Sequence, residues 1–158
     1  MDELDRSILD IVQKDGRIPF TTVAKMLSVT EGTVRNRVAK LVEDQVVQFV
    51  GLLNPHRLGY EASAIICVSI QAPHLDETAA RLAEFPEVSY LIMVAGEFDL
   101  MVEVFCRDQA DLGALLKDKI QQLPGVQRTQ TFVILHTFKM AQGGQPILTR
   151  YAPIKATS

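Results

Sequence analysis

The sequence predicts an α+β protein in two parts, a small helical unit followed by a βαββαβ sheet domain. Three observations carry this reading. Apolar residues in the first fifty positions recur at three- and four-residue steps, the period of an amphipathic helix. Beyond Glu61, alternating or β-branched runs exchange with helical stripes in the order strand, helix, strand, strand, helix, strand. Between the two, Asn54-Pro55 and Leu58-Gly59 punctuate the chain. The expected units are therefore residues 1–50, a hinge over 51–60, a ferredoxin-like sheet domain over 61–140 and an irregular Gly- and Pro-containing tail over 141–158.

In the first unit Leu4, Ile8, Ile11 and Val12 form one stripe, with Asp2, Glu3 and Asp5 near the positive end of the helix dipole. Asp15-Gly16 stops this helix, and Pro19 bars a simple continuation. Val23, Ala24 and Leu27 make the apolar face of a short second helix. Thr30 is a good N-cap for a third, whose core stripe is Val34, Val38, Leu41 and Val42. Residues 46–53 are β-branched or aromatic with little charge and read as an extended segment, either a wing or a linking strand.

In the second unit strands are expected over 62–72, 88–95, 98–107 and 126–138, with helices over 75–85 and 109–123. Leu112, Leu115, Leu116, Ile120 and Leu123 supply the sheet-facing stripe of the second helix. On the first strand Ala62, Ala64, Ile66, Val68 and Ile70 point one way, towards the helices. The opposite face carries Ile65 and Cys67 between serines, and is expected to continue through Leu91, Met93, Met101, Phe105, Val133 and Leu135. A two-layer fold leaves such a face in water, and an apolar patch of that size marks an interface. Two sheets packed face to face in a homodimer are the expectation.

Composition narrows the class. Of 158 residues, 47% are hydrophobic and 22% charged, as in ordinary globular proteins. No apolar run approaches the ~18 residues of a membrane span, and MDELDRSILD lacks the basic start of a signal peptide. A cytoplasmic, nucleoid-associated protein without membrane contact is expected. Cys67 and Cys106 lie in apolar segments without a CxxC, and His56, His74 and His136 are scattered. Neither a metal nor a cofactor is expected.

Net charge is −3 and the pI about 5.6, which does not advertise nucleic-acid binding. Lys25, Arg35, Arg37 and Lys40 nevertheless cluster with only Glu31 opposing them, while acidic residues concentrate beyond Glu61. A DNA-binding face needs only such a local positive field. At ~100° per residue, Gly32, Asn36, Ala39, Lys40 and Glu43 lie opposite the core stripe of the third helix, with Thr33 and Arg35 on its flanks. A recognition helix offers its first turns to base edges in the major groove of double-stranded DNA. Thr30 would cap it, Gly32 would let the backbone approach, and Thr33 and Asn36 would hydrogen-bond bases or phosphates. Arg35 suits guanine or a phosphate, and Lys40 a phosphate. Arg37 lies nearer the core edge, and two roles stay open for it, a phosphate contact and a structural ion pair. An ordinary three-helix bundle with a solvated polar face is the alternative for the whole unit.

In the second unit, Ala95-Gly96-Glu97-Phe98-Asp99 joins the second and third strands. It reads as a β-turn, or as a ligand loop in which Gly96 allows close approach while Glu97 or Asp99 accepts from an ammonium. Thr129 and Thr131 share a face of the last strand and could add hydroxyl contacts. No nucleophile, base and orienter stand together in the sequence, so no catalytic residue and no enzyme are expected.

Several stretches, LDRSILDIVQKDGR, VAKMLSVTEGTVRNRVAKL, LNPHRLGYEASAIICV, AGEFDLMVEV and LPGVQRTQTFVIL, resemble the Lrp/AsnC, or feast/famine (leucine-responsive regulatory protein), transcription regulators. The resemblance runs from about Leu4 to Phe138. It implies an N-terminal winged helix-turn-helix joined by a hinge strand to a ferredoxin-like βαββαβ domain. It also implies dimers formed through the sheets and assembled into octamers or similar rings. An amino-acid effector would sit between dimers, near the loop matching Gly96, Glu97, Phe98 and Asp99 and the strand matching Thr129 and Thr131. Under this resemblance the ligand reading of Gly96 and Asp99 overtakes the turn reading. Three departures are visible. Val29-Thr30 stands where the family has Leu-Ser, and Pro19-Phe20 occupies the usual polar cap of the second helix. Asp44-Gln45 replaces the Gly-containing turn after the third, so a non-glycine residue takes positive φ or the turn differs. The functional expectation is an amino-acid-responsive transcription regulator. The alternatives are an architectural DNA-wrapping protein and, from another class, a metabolic enzyme with a regulatory ferredoxin-like domain, for which the chain leaves no room.

Overall fold

A computed structural model of the chain describes residues 1–51 and 53–137, so the expected tail over 141–158 lies outside the described residues. The described chain divides into two compact units, Met1–Leu53 and Asn54–Thr137.

The first unit is three helices, α1 (Glu3–Val12), α2 (Phe20–Leu27) and α3 (Glu31–Glu43). They bury Ile8, Val12, Val23, Ala24, Val34 and Val38 in one core. Val42, at the edge of the predicted α3 stripe, is 43% exposed and stands outside that core. Helix α2 starts directly after Pro19 and has no side-chain cap, as the missing polar residue requires. The α2–α3 turn passes through Ser28 at φ 56°, and the turn after α3 through Gln45 at φ 57°. The departure at Asp44-Gln45 is thus met by a non-glycine residue in the left-handed region rather than by a different turn. Residues 46–51 continue as coil, the N–H groups of Val46 and Val47 returning to the Leu41 carbonyl. The expected wing or linking strand therefore finds no partner strand among the described residues.

The second unit is a four-stranded antiparallel sheet, β1 (Ala62–Ile70), β2 (Val88–Met93), β3 (Leu100–Cys106) and β4 (Val126–Val133), in the order β2-β3-β1-β4. Two helices, α4 (Leu75–Ala83) and α5 (Gln109–Ala114), cross between the strands, completing βαββαβ. Beyond Ala114 the chain continues as a π-helical turn over Leu115–Lys119 and a 3-10 turn over Ile120–Gln122. The change of pitch has a packing reason. Leu115 and Ile120 are five residues apart and both fully buried, and a wider turn brings such a pair onto one face.

Every inward residue read from β1 is buried, and Leu82, Leu112, Leu115 and Ile120 pack against that face from the helices. The opposite face follows the prediction at Ile65, Cys67, Met101 and Phe105 and departs from it elsewhere. Leu91 pairs with Val102 and Met93 with Leu100, which puts both on the helix side; Tyr90 and Ile92 face outward instead. Val133 pairs with Ala64 and is also on the helix side, so Phe132 takes its outward place opposite Ile65. Leu135 lies beyond the end of β4. The open face thus carries Ile65, Cys67, Tyr90, Ile92, Met101, Phe105 and Phe132.

Burial pushes both cysteine thiols up, so Cys67 and Cys106 behave as small core hydrophobes. Among the described residues no helix is long and apolar enough to cross a membrane, and no group of His, Cys, Asp and Glu could hold a metal ion.

Candidate functional site

Helix α3 is set up by its first turn. The Thr30 Oγ1 accepts the Thr33 N–H at 3.1 Å and lies 2.9 Å from the Thr33 hydroxyl, satisfying a donor that helix geometry leaves free. With Val34, Val38 and Leu41 turned inward, Thr30, Gly32, Arg35, Asn36 and Lys40 are exposed and Thr33 is half-buried. Nothing but the Thr30 hydroxyl lies within 4 Å of where a Gly32 Cβ would stand, so the backbone there can be approached closely.

The cations are not equivalent. Arg35 donates to Glu31 one turn earlier at 2.5 Å, an exposed pair that water or a phosphate can exchange. Arg37 donates from Nη1 to Asp2 at 2.6 Å and to Asp5 at 3.1 Å, and these carboxylates hold its guanidinium above the usual range. Of the two roles open to Arg37, the ion pair is the one formed. It is thereby separated from the outward set of Thr30, Gly32, Thr33, Arg35, Asn36 and Lys40. The aspartates that hold it were legible in the sequence only as dipole partners of α1.

In the second unit the loop over residues 94–99 and strand β4 meet across the end of β1. The Asp99 Oδ2 accepts the Ile70 N–H at 2.7 Å, its N–H donates to the Val68 carbonyl, and its own carbonyl accepts from Val94. Asp99 therefore closes the turn, leaving Oδ1 outside that bond. Glu97 is tied twice: its carbonyl accepts from Ser69 Oγ and its carboxylate from Arg128. The Arg128 guanidinium also lies 4.6 Å from the Phe98 ring centroid, a cation–π contact. Space in front of Gly96 is open. On β4, Thr129 Oγ1 accepts from Gln121 Nε2 at 3.0 Å, while the neighbouring Thr131 Oγ1 is buried with no partner. The predicted loop and Thr129 are thus brought to one end of the sheet, while Thr131 pairs with Ile66 further along β1, both threonines facing the helix side. Arg128 is absent from the predicted set, because it alternates with the threonines along β4 and its partners Glu97 and Phe98 are about thirty residues away in sequence.

Residues 1–42 match the model of the AsnC-type helix-turn-helix domain, and residues 63–143 that of the Lrp/AsnC ligand binding domain. The chain belongs to the Lrp/AsnC family. It is 35% identical over 135 residues to an uncharacterized HTH-type transcriptional regulator of Pyrococcus horikoshii, covering 85% of each chain. It is 36% identical over 140 residues to the HTH-type transcriptional regulator LrpA of Pyrococcus abyssi, covering 88% of this chain and 99% of that one. Among solved structures, E. coli AsnC superposes with a TM-score of 0.82 at 26% identity, over 90% of this chain and 97% of that one. A regulator of Neisseria meningitidis, solved as a complex with L-Met, superposes at 0.84 and 24% identity, over 92% and 96%, and that likeness speaks to fold alone. This Lrp/AsnC protein is therefore a DNA-binding transcription regulator and not an enzyme.

Proposed function

We propose that this regulator binds specific operators as a homo-oligomer built on sheet-to-sheet dimers, and that an amino acid adjusts its operator affinity. Thr30, Gly32, Thr33, Arg35, Asn36 and Lys40 form the DNA-facing set. Two copies of α3 would address half-sites ~34–36 Å apart or a multiple of that. Site residues for the effector are Gly96, Glu97, Phe98, Asp99, Thr129 and Thr131, with Arg128 added. Higher assembly to octamers, with the effector between dimers, and a cytoplasmic place on the nucleoid complete the reading.

The observation that carries the effector is the Thr131 hydroxyl, buried without a partner two residues along β4 from Thr129. Such a group costs about 1–3 kcal/mol until something satisfies it. A zwitterion suits the surroundings, with Glu97 and the free Asp99 oxygen for its ammonium and Arg128 for its carboxylate. The ligand-binding description of the family model supports a small-molecule effector in this unit, and an amino acid is the class suggested by the L-Met bound in the Neisseria regulator.

The test uses the full chain, each of the twenty amino acids, and a duplex from immediately upstream of its own coding sequence. At least one amino acid should raise the melting temperature, by the equivalent of about 2.7 kcal/mol at a hundredfold excess over Kd. The same amino acid should shift duplex affinity, because the coupling is reciprocal. If none does either while DNA is still bound, the architectural DNA-wrapping reading replaces this one.

A further inference from the structure

The two carboxylates at the start of α1 divide their four oxygens between two tasks. Asp2 Oδ1 accepts the Asp5 N–H and Asp5 Oδ2 accepts the Asp2 N–H, both at 2.9 Å, a capping box made of two aspartates. The remaining oxygens, Asp2 Oδ2 and Asp5 Oδ1, both receive Arg37 Nη1 from α3. A capping box ordinarily closes one helix end; here it is also a socket for a side chain 32 and 35 residues away. Asp5 is only 7% exposed, so its carboxylate finds its hydrogen-bond partners within the protein.

We propose that Asp2 and Asp5 are positioning residues for DNA recognition: through Arg37 they set the rotation of α3 about its own axis and withhold that guanidinium from phosphate. The proposal rests on α3 being the DNA-facing helix. The apolar stripe of α3 fixes its face only within the tolerance of Val34, Val38 and Leu41. A single residue step corresponds to ~100° of rotation, so a modest roll would misdirect Arg35 and Asn36 together. A guanidinium nitrogen held by two carboxylates at the start of another helix resists that roll. The other charged groups on residues lining the cleft beside this contact are those of Lys40, Asp44 and the Met1 α-amino group.

The experiment compares D2N, R37Q, R37K and the D2N/R37Q double variant in the full chain. Asparagine caps helices as well as aspartate, so D2N keeps α1 while presenting the wrong group to Arg37. Binding is measured to the upstream duplex and to a scrambled duplex of equal length, across a salt series. We expect D2N and R37Q each to weaken the upstream complex by about threefold to tenfold while the scrambled complex hardly changes. The double variant should match R37Q within about twofold, and R37K should recover part of the loss. The salt slope of R37Q should equal that of the unsubstituted chain, since a lost phosphate contact would lower it by about one. A slope lower by one in R37Q, or unchanged upstream binding in D2N, overturns the proposal. Should R37Q fail to fold, D2N and R37K decide alone. Unchanged binding in R35A/N36A would instead fault the placement of α3 at the DNA, a distinguishable failure.

Discussion

Asp99 Oδ2 accepts the Ile70 N–H at 2.7 Å, so the loop joining β2 to β3 is fastened to the last residue of β1. The same residue is in the proposed effector set, which gives its removal two consequences. Asp99→Ala should lower stability by about 1–3 kcal/mol in urea unfolding. It should also abolish amino-acid-dependent thermal stabilisation. Asp99→Asn keeps one acceptor oxygen and should retain most of the stability while losing the ammonium contact. A ligand response as large in both variants as in the unsubstituted chain would remove Asp99 from the effector set.

Thr131 makes the opposite prediction. Its hydroxyl is buried and unpaired, so Thr131→Val should leave the unliganded protein unchanged or raise its stability by up to about 1 kcal/mol. Ligand-induced stabilisation should fall at the same time. A clear loss of stability without ligand would mean that the hydroxyl already has a partner.

The open sheet face carries Tyr90 and Phe132, each about half exposed at 54% and 50%. If two copies pack through this face, Phe132→Asp should convert the oligomer to monomer in sedimentation at micromolar concentration, because a charge would be buried unpaired. The Phe132→Leu control should stay associated. A monomer already present in the unsubstituted chain would sink the sheet-to-sheet arrangement.

Two glycines separate conformational cost from entropy. Gly125 sits at φ 72°, and a Cβ there would stand 2.6 Å from the Cβ of His74. Gly125→Ala should destabilise by about 2–4 kcal/mol, summing left-handed strain and overpacking. Gly113 lies inside α5 with nothing within 4 Å, so Gly113→Ala should stabilise by about 0.5–1 kcal/mol. Chemical denaturation of both variants reads the contrast directly.

Acid stability follows from two depressed carboxyls. The Asp5 N–H, then Arg37, holds Asp2 below its ordinary 3.8. Burial pushes Glu87 up, but the Lys119 ammonium at 2.6 Å outweighs it and leaves Glu87 below its ordinary 4.5. Folded values below unfolded ones mean a contribution fully present above the unfolded pKa and lost as pH falls through the lowered values. Urea unfolding should therefore show stability carried by these groups declining from about pH 4.5 downwards. Glu87→Gln should flatten that limb; an unchanged slope would show that the Lys119 pair contributes nothing.

The phase of β1 was legible because Ser63 and Ser69 fall on one face while every residue of the other is apolar. Strand β2 offers Tyr90, Leu91, Ile92 and Met93 in succession, and the chain from Phe132 to Leu135 is apolar throughout, so neither contains a period-two signal. A register shift between Val88 and Tyr90 compounds the ambiguity. The run over 46–53 has strand-like side chains, but its described residues find no strand to pair with among the described residues, and propensity alone cannot supply one. On α3, helical spacing sorted the exposed residues Gly32, Asn36, Ala39, Lys40 and Glu43 from the buried Val34, Val38 and Leu41. It could not reach the fate of Arg37, which is decided by carboxylates more than thirty residues away. Arg128 was hidden for a similar reason, its partners Glu97 and Phe98 lying across the sheet end.

The shared capping box also bears on how the first unit opens and closes. A helix end normally frays by itself, one turn at a time. Because each aspartate caps its own helix with one oxygen and grips α3 with the other, loosening the start of α1 releases Arg37 as well. Amide protons in the first turn of α1 and in the middle of α3 should then exchange with solvent together, as one cooperative unit, rather than in order of their distance from the chain end.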